Sequence, residues 1–430
     1  MLAAEVDEVR GRLDAFVGEV FASLSRKDQR AKGGLYLQGL MLEGRRKSMQ
    51  PMGERLGVDH QQLQQFVSSS PWAVEPVRRV LAGKALELIG PDAWVIDDTG
   101  FVKDGPASPG VARQYSGTVG KVANVQVAVS LHAVSDQASC PVDWRLFLPE
   151  SWDDLKATSD HTGQDAQRIR ERRARARIPE TQHHKAKWEQ SLEMLDELAT
   201  WGHRPPVVAA DAGYGEVSPF RTGLTERGIP YVVAVKATTS VHRGDAAFGT
   251  VPYSGRGRPP VPGYLDPPVQ VQALVESLVT SLASADQAAL EVVSWRTGTR
   301  RRRDNPRGLM SSRFLATRVR PANRTIAKHP DGTLPECWLL AEWPPSAEKP
   351  TDYWLSTLPE TTTIATLVRL AKIRWRIEHD YRELKHGLGL DHFEGRTWLG
   401  WHHHATLVSA AHLFIITLRL TSDPKANGAT

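Results

Sequence analysis

Apolar positions recur at helical spacing through Val6–Leu24, and a glycine break follows at Gly33-Gly34. Pro51–Phe66 then gives two short helical runs around Gly57-Val58-Asp59, with Asp59 placed to cap the second. A helix-turn-helix has this pattern, its second helix entering a DNA major groove; an ordinary helical hairpin has it too. Residues 1–90 therefore read as a helical domain, expected to bind DNA.

From Ala93 the period shortens. Ala93–Ile96 reads as a buried strand ending at Asp97-Asp98-Thr99. Residues 110–115 and the alternating Asn124–His132 give two more strands, with Gly117, Gly120 and Lys121 in the turn between them. Helical spacing returns in Thr162–Arg177 and Lys185–Trp201. Pro206–Ala210 is a buried strand ending in Asp211, followed by a helix at Val217–Arg227 and a strand at Tyr231–Val235. This order predicts an α/β fold, a mixed sheet with helices packed on it, over residues 91–236. Residues 237–360 turn to Pro, Arg, Ser and Thr, with strand-like runs at Glu291–Trp295, Arg313–Val319 and Cys337–Trp343. They predict a mainly β insertion. Residues 361–420 are helical again, through about Leu390 and then over Trp401–Leu420, and complete the core.

Composition narrows the class. Forty per cent hydrophobic and 24% charged residues in a 430-residue chain fit two or three globular domains. No uninterrupted apolar run approaches a membrane span, and the acidic amphipathic start is unlike a secretory leader, so a cytoplasmic protein is expected. Cys140 and Cys337 lie too far apart in sequence to form a disulfide framework or a cysteine zinc cluster. The net charge of +5 is modest, but the arginines cluster: Arg168, Arg170, Arg172, Arg173, Arg175 and Arg177 in one run, Arg300, Arg301, Arg302 and Arg303 in another. Such runs serve equally as solvated surface or as phosphate contacts.

The candidate chemistry is acidic. Asp97 and Asp211 close buried strands, where ionised carboxylates are rare unless something pairs with them. At a sheet edge they can converge on a hard cation such as Mg²⁺, which prefers carboxylate oxygens. Arg374, Glu378, Tyr381 and Lys385, at helical spacing, offer a third carboxylate with cations on one face; taken alone, that stripe is an ordinary solvated helix face.

These residues together resemble a known family. Asp97-x-Thr99, Asp211, and Arg374-Trp-x-Ile-Glu378 with Lys385 are similar to the catalytic core of DDE transposases with an RNase H-like fold, in the cut-and-paste class called YREK. The leading Tyr of that signature is Ala371 here. The strings RQYSGTVGKVANVQ, DAGYG, LAEWP, DYWLSTLP, LGLDHFEGRTW and GWHHHATL resemble the insertion-sequence 701 family, over about residues 30–415. The resemblance implies a β-rich insertion between Asp211 and Glu378. It also implies two divalent ions, Mg²⁺ or Mn²⁺, with Asp97 bridging both and Asp211 and Glu378 holding one each. Asp98 is the alternative to Asp97, which the Asp-x-Thr pattern favours. Arg374 and Lys385 would meet DNA phosphates near the cut, with Tyr381, Lys121 and Arg300–Arg303 in the same DNA-binding set. The implied partners are the terminal inverted repeats and target DNA, handled by a homodimer at the nucleoid without a membrane. A nuclease that never rejoins DNA, or a protein that binds without cutting, remains the alternative. His402-His403-His404 point in different directions on a helix and so suit structural or DNA-facing roles better than one metal. Trp295, Trp338, Trp343 and Trp354 read mostly as core, with stacking on a flipped base as the other use.

Overall fold

The computed structural model describes residues 3–117, 120–157, 164–253, 255, 257, 259–284, 290–297, 305–322 and 326–422. Its helices are α1 (Ala3–Val20), α2 (Lys27–Met41), α3 (Met49–Leu56), α4 (His60–Ser68), α5 (Val74–Ile89), α6 (Gln164–Arg175), α7 (Lys187–Thr200), α8 (Ala212–Gly215), α9 (Ser218–Glu226), α10 (Val271–Ser284), α11 (Ile364–Lys372), α12 (Trp375–Arg382) and α13 (Trp398–Ser422). Its strands are β1 (Ala93–Val102), β2 (Ala112–Ser116), β3 (Lys121–Val134), β4 (Ser139–Leu146), β5 (Val208–Ala210), β6 (Tyr231–Val235), β7 (Ser240–Arg243), β8 (Phe248–Gly249), β9 (Gly263–Tyr264), β10 (Val269–Gln270), β11 (Glu291–Thr297), β12 (Leu309–Pro321), β13 (Cys337–Glu342) and β14 (Asp352–Ser356). The fold is α/β with a mixed sheet. Two compact units divide the chain: residues 1–91, 96–204 and 376–430 form one, residues 92–95 and 205–375 the other.

In the first unit β3 is central. β2 pairs antiparallel with its first residues and β4 with the rest, through a bulge at Leu131/His132, while β1 is its other neighbour. β3 is buried continuously from Val125 to Val134 because helices α5 and α7 cover it, so it shows no polar alternation. α13 packs against α2, α4, α5 and β4. A helix with neighbours on several sides is apolar on most of its circumference. Trp398–Thr421 is long and apolar enough to cross a membrane by length and composition, yet 67% of its apolar window lies inside the protein.

The second unit carries a sheet in the order β10-β7-β12-β13-β14-β6-β5, with β11 on β12. β5 and β6 are parallel; the pairings from β6 through β14, β13 and β12 to β7 are antiparallel. The start of β1 adjoins β5, where the Trp94 N–H donates to Val207 O at 2.8 Å. The strand-like runs expected within 237–360 are β11, β12 and β13, and β14 joins them directly to β6. The same segment holds α10, a 14-residue helix that its β-branched sequence concealed.

Three local expectations need correction. β1 does not end at Asp97 but runs on to Val102, since Phe101 packs in the core and keeps the chain extended. β4, with a proline as its third residue, escaped the strand pattern. The helix expected from Thr362 to Leu390 is broken at Ile373-Arg374 and ends in a π-helical turn, Glu383–Gly387.

Candidate active site

The first unit holds two of the three expected carboxylates. Asp97 lies within β1 at 9% exposure, on the same face as buried Thr99, because alternate strand residues share a face. Its Oδ1 accepts the Asp98 N–H at 2.8 Å. Asp98 takes the other face and accepts from Lys187 Nζ of α7 at 2.6 Å. Asp98 is thus engaged in an ion pair.

Glu378 stands on the exposed side of α12, whose other side buries Ile377 and Asp380. A chain of buried polar groups fixes that azimuth. Asp380 accepts from Ser139 Oγ at 2.6 Å and lies 2.9 Å from His132 Nδ1; His132 Nε2 is 3.0 Å from Ser130 Oγ, which is 2.6 Å from the Tyr381 hydroxyl. β3 and β4 therefore grip α12 from one side. Lys385, in the π-helical turn, is 7% exposed and donates to Gly100 O of β1 at 2.8 Å, with Phe101 beneath it. Burial draws its ammonium down to about 8. A π turn adds a residue to the helical repeat, which rotates Lys385 off the Glu378 face. Lys385 and Tyr381 thus bind protein groups. Arg374 is half-buried in the break before α12.

In the second unit Asp211 closes β5 and caps α8, its Oδ1 accepting the Gly213 N–H at 2.9 Å. The DAGYG string is explained by crowding. A Cβ at Gly215 would stand 1.9 Å from Ala234 O of β6, so only glycine lets α8 sit there. Glu216 accepts from Lys236 N at 2.7 Å and Thr239 Oγ1 at 2.5 Å, pinning the corner to the end of β6.

The remaining candidates scatter. Lys121 begins β3 and is exposed; it is paired in the ladder, not in the turn. Arg300, Arg301, Arg302 and Arg303 lie outside the described residues. In the α6 run, Arg173 is buried and donates to Trp152 O at 2.9 Å, while Arg172 stacks on the Trp152 ring at 3.6 Å. Arg168, Arg170, Arg175 and Arg177 are exposed. His403 lies between Val67 O and Trp72 O, His404 between Tyr36 and Gly389 O, and His402 against Trp398 O. Of the tryptophans, Trp295 and Trp354 flank Lys372, which pairs with Glu342, while Trp338 and Trp343 donate to Pro359 O and Ala347 O.

Asp153, Asp154 and His183 form an acidic cluster that pattern reading missed, with ligand atoms within 4.8 Å of one another. Asp153 is already used by His183 Nδ1 and the His184 N–H, each at 2.9 Å, and Arg173 faces Asp154 at 3.6 Å. These contacts account for the cluster as a loop clasp.

Aspartates on β1 and at the end of β5, with a glutamate on a helix, are hard oxygen donors of the kind divalent-metal nucleases use. The chain belongs to the DDE superfamily of endonucleases, whose family profile matches residues 19–302. That span includes Asp97 and Asp211 and stops short of Glu378. The chain is similar to a probable transposase for insertion sequence element IS701 from Microchaete diplosiphon, 27% identical over 203 residues. The aligned part is 46% of this chain and 47% of that protein, so the chain matches about half the length of this curated relative. Among solved structures, a piggyBac transposase in a synaptic complex with hairpin DNA aligns over 96% of this chain and 80% of that one, at 9% identity and a TM-score of 0.36. So distant a likeness bears on neither site nor mechanism.

Proposed function

We propose that the protein is a transposase that binds the ends of an insertion sequence and cuts and joins DNA, using Asp97, Asp211 and Glu378 as its metal-holding carboxylates. The family match over both aspartates carries this reading. The donor set fits Mg²⁺, with Mn²⁺ as a substitute, because all three groups offer hard oxygens. When bound, such ions activate a water or a 3′-hydroxyl and stabilise the leaving oxygen. The chain's own residues do the positioning. Asp97 is fixed by the β1 ladder, Asp211 by its capping bond to Gly213, and Glu378 by the buried side of its helix. Lys385 and Tyr381 serve by holding α12, while Arg374, Lys121 and the run Arg300, Arg301, Arg302 and Arg303 contact DNA phosphates. In this reading residues 1–90 engage DNA, 91–236 and 361–420 supply the catalytic core, and 237–360 the insertion, in a homodimer acting at the nucleoid.

Glu378→Gln keeps size and hydrogen-bonding atoms but removes the charge. Gel-shift titrations with a labelled element end should give near-normal binding, while cleavage in Mg²⁺ is lost. Undiminished cleavage would remove Glu378 from the site. Cleavage by the unaltered protein without strand transfer would instead identify a nuclease of the same superfamily.

A further inference from the structure

The first unit carries a surface that cleavage chemistry does not use. α3 and α4 are joined by three residues, Gly57-Val58-Asp59. Gly57 ends α3 in the left-handed region at φ +66°, where glycine costs nothing. Asp59 starts α4 by accepting the Gln61 N–H at 2.9 Å. A Cβ at Gly53 would fall 2.9 Å from both His60 Cβ and Val58 O, so the two helices meet at a glycine. Tight crossing over a short turn is helix-turn-helix geometry.

The rotation of α4 is fixed. Leu63, Phe66 and Val67 are buried. Trp72 stacks on Phe66 with centroids 5.5 Å apart and donates its indole N–H to Phe66 O at 3.1 Å; His403 of α13 stacks on Trp72 at 3.7 Å. The opposite face follows from helical spacing: Gln61, Gln64 and Gln65 are all exposed, and no charged side chain interrupts them.

Cations border this amide ridge on both sides. One flank is a cavity of about 410 Å³ whose lining includes Arg26, Lys32, Gln65 and Ser69. The other is a cavity of about 640 Å³ whose lining includes Arg46, His60 and Gln64 beside Glu54 and Glu394; Lys47 in that lining is buried and donates to Leu42 O. Residues 25–70 hold eight Lys and Arg against four Asp and Glu, so the excess survives the Arg26–Asp28 pair and Glu54. A ridge without apolar side chains is a poor protein or lipid contact. The A-form major groove of RNA is too narrow for a helix, whereas the B-DNA major groove admits one. Glutamine pairs one donor and one acceptor with N7 and the N6 amino group of adenine.

We infer that α4 reads adenines in the DNA major groove through Gln61, Gln64 and Gln65, so that the sites this protein selects carry A·T pairs beneath that helix. The inference rests on the proposed DNA-handling function and adds the sequence class it recognises.

The test is site selection by the full chain from a random-sequence duplex pool, followed by titration on the selected duplex. An enriched motif with adenines is expected. Replacing one by a G·C pair should weaken binding roughly 5- to 150-fold. Substituting 7-deazaadenine, which removes only the N7 acceptor, should weaken it at the same positions. Gln64→Ala should relax the motif locally without changing the salt slope on random DNA, because phosphate contacts remain. Gln64→Arg should shift the preference there from adenine to guanine, which misfolding cannot mimic. A motif without adenine, or one unchanged in Gln61→Ala, Gln64→Ala and Gln65→Ala, overturns the inference. Salt-dependent binding with no motif overturns it while leaving the function standing; absence of any duplex binding overturns both.

Discussion

His404 is buried with both ring nitrogens satisfied as a neutral group. Nδ1 faces the Tyr36 hydroxyl at 2.9 Å, and Nε2 faces Gly389 O at 3.0 Å, so Tyr36 donates and the ring donates onward. Desolvation holds its pKa down to about 4, against an ordinary 6.5. The unfolded chain therefore binds this proton first as pH falls. The stability that the neutral ring contributes is fully present above pH 6.5 and drains as pH falls towards 4. Unfolding free energy should fall across that window at a limiting slope of about 1.4 kcal/mol per pH unit for this one group, and the melting temperature with it. His404→Gln should melt lower at neutral pH but with a flatter acid slope. Parallel curves for the two proteins would show that His404 does not titrate on unfolding. The divergence of three consecutive histidines was legible in sequence, from helical geometry alone. His402 turns to Trp398 O on its own helix, but the partners of His403 and His404 were not legible, because Val67, Trp72 and Tyr36 lie more than 300 positions away.

At the scale of elements, helical period and strand ends located α3, α4, β5, β6 and the stripe of α12. The long apolar runs were readable because one kind of contact decides them. β1 overran its expected end since Asp97 and Asp98 belong to a ladder that a propensity reading closes at the first charge. The π-helical turn after α12 was invisible to a 3.6-residue period, and with it the inward path of Lys385. The Asp211 corner shows the opposite case, a local string with a local cause. Gly215→Ala forces a methyl against the backbone oxygen of Ala234, which no side-chain movement can relieve. The expected cost is about 1–3 kcal/mol, the usual range for overpacking, read as a lower urea midpoint with an unchanged m value. On the proposed role of Asp211, cleavage should fall by more than the loss of folded protein accounts for, because α8 carries its cap, Asp211, with it. A Gly215→Ala protein with the parental midpoint would mean that α8 and β6 have room to part.

On the scale of the whole molecule, the N-terminal helices are tied to the first unit's sheet by charge as well as packing. Asp143 of β4 is fully buried, and burial pushes its carboxyl up; Arg145 and Arg78 oppose that. Arg78, on α5, pairs with Asp143 and reaches Glu197 of α7 at 3.1 Å, while Arg145 pairs with Asp143 at 2.8 Å and also with Glu197. One cluster thus joins α5, β4 and α7. Sequence alone gave no sign of it, since its members are separated by up to 119 positions. Arg78→Met keeps much of the stem's packing but leaves Asp143 with half its cationic support. Breaking a buried pair from one side costs about 3–5 kcal/mol, and the remaining Arg145 places this variant near the lower figure. Because α5 and the sheet share the cluster, urea unfolding followed by far-ultraviolet circular dichroism and by tryptophan fluorescence should shift together in Arg78→Met. If the helical signal alone moved to lower urea, the N-terminal helices would be a separately folding module, and the cluster would not be what couples them to the sheet.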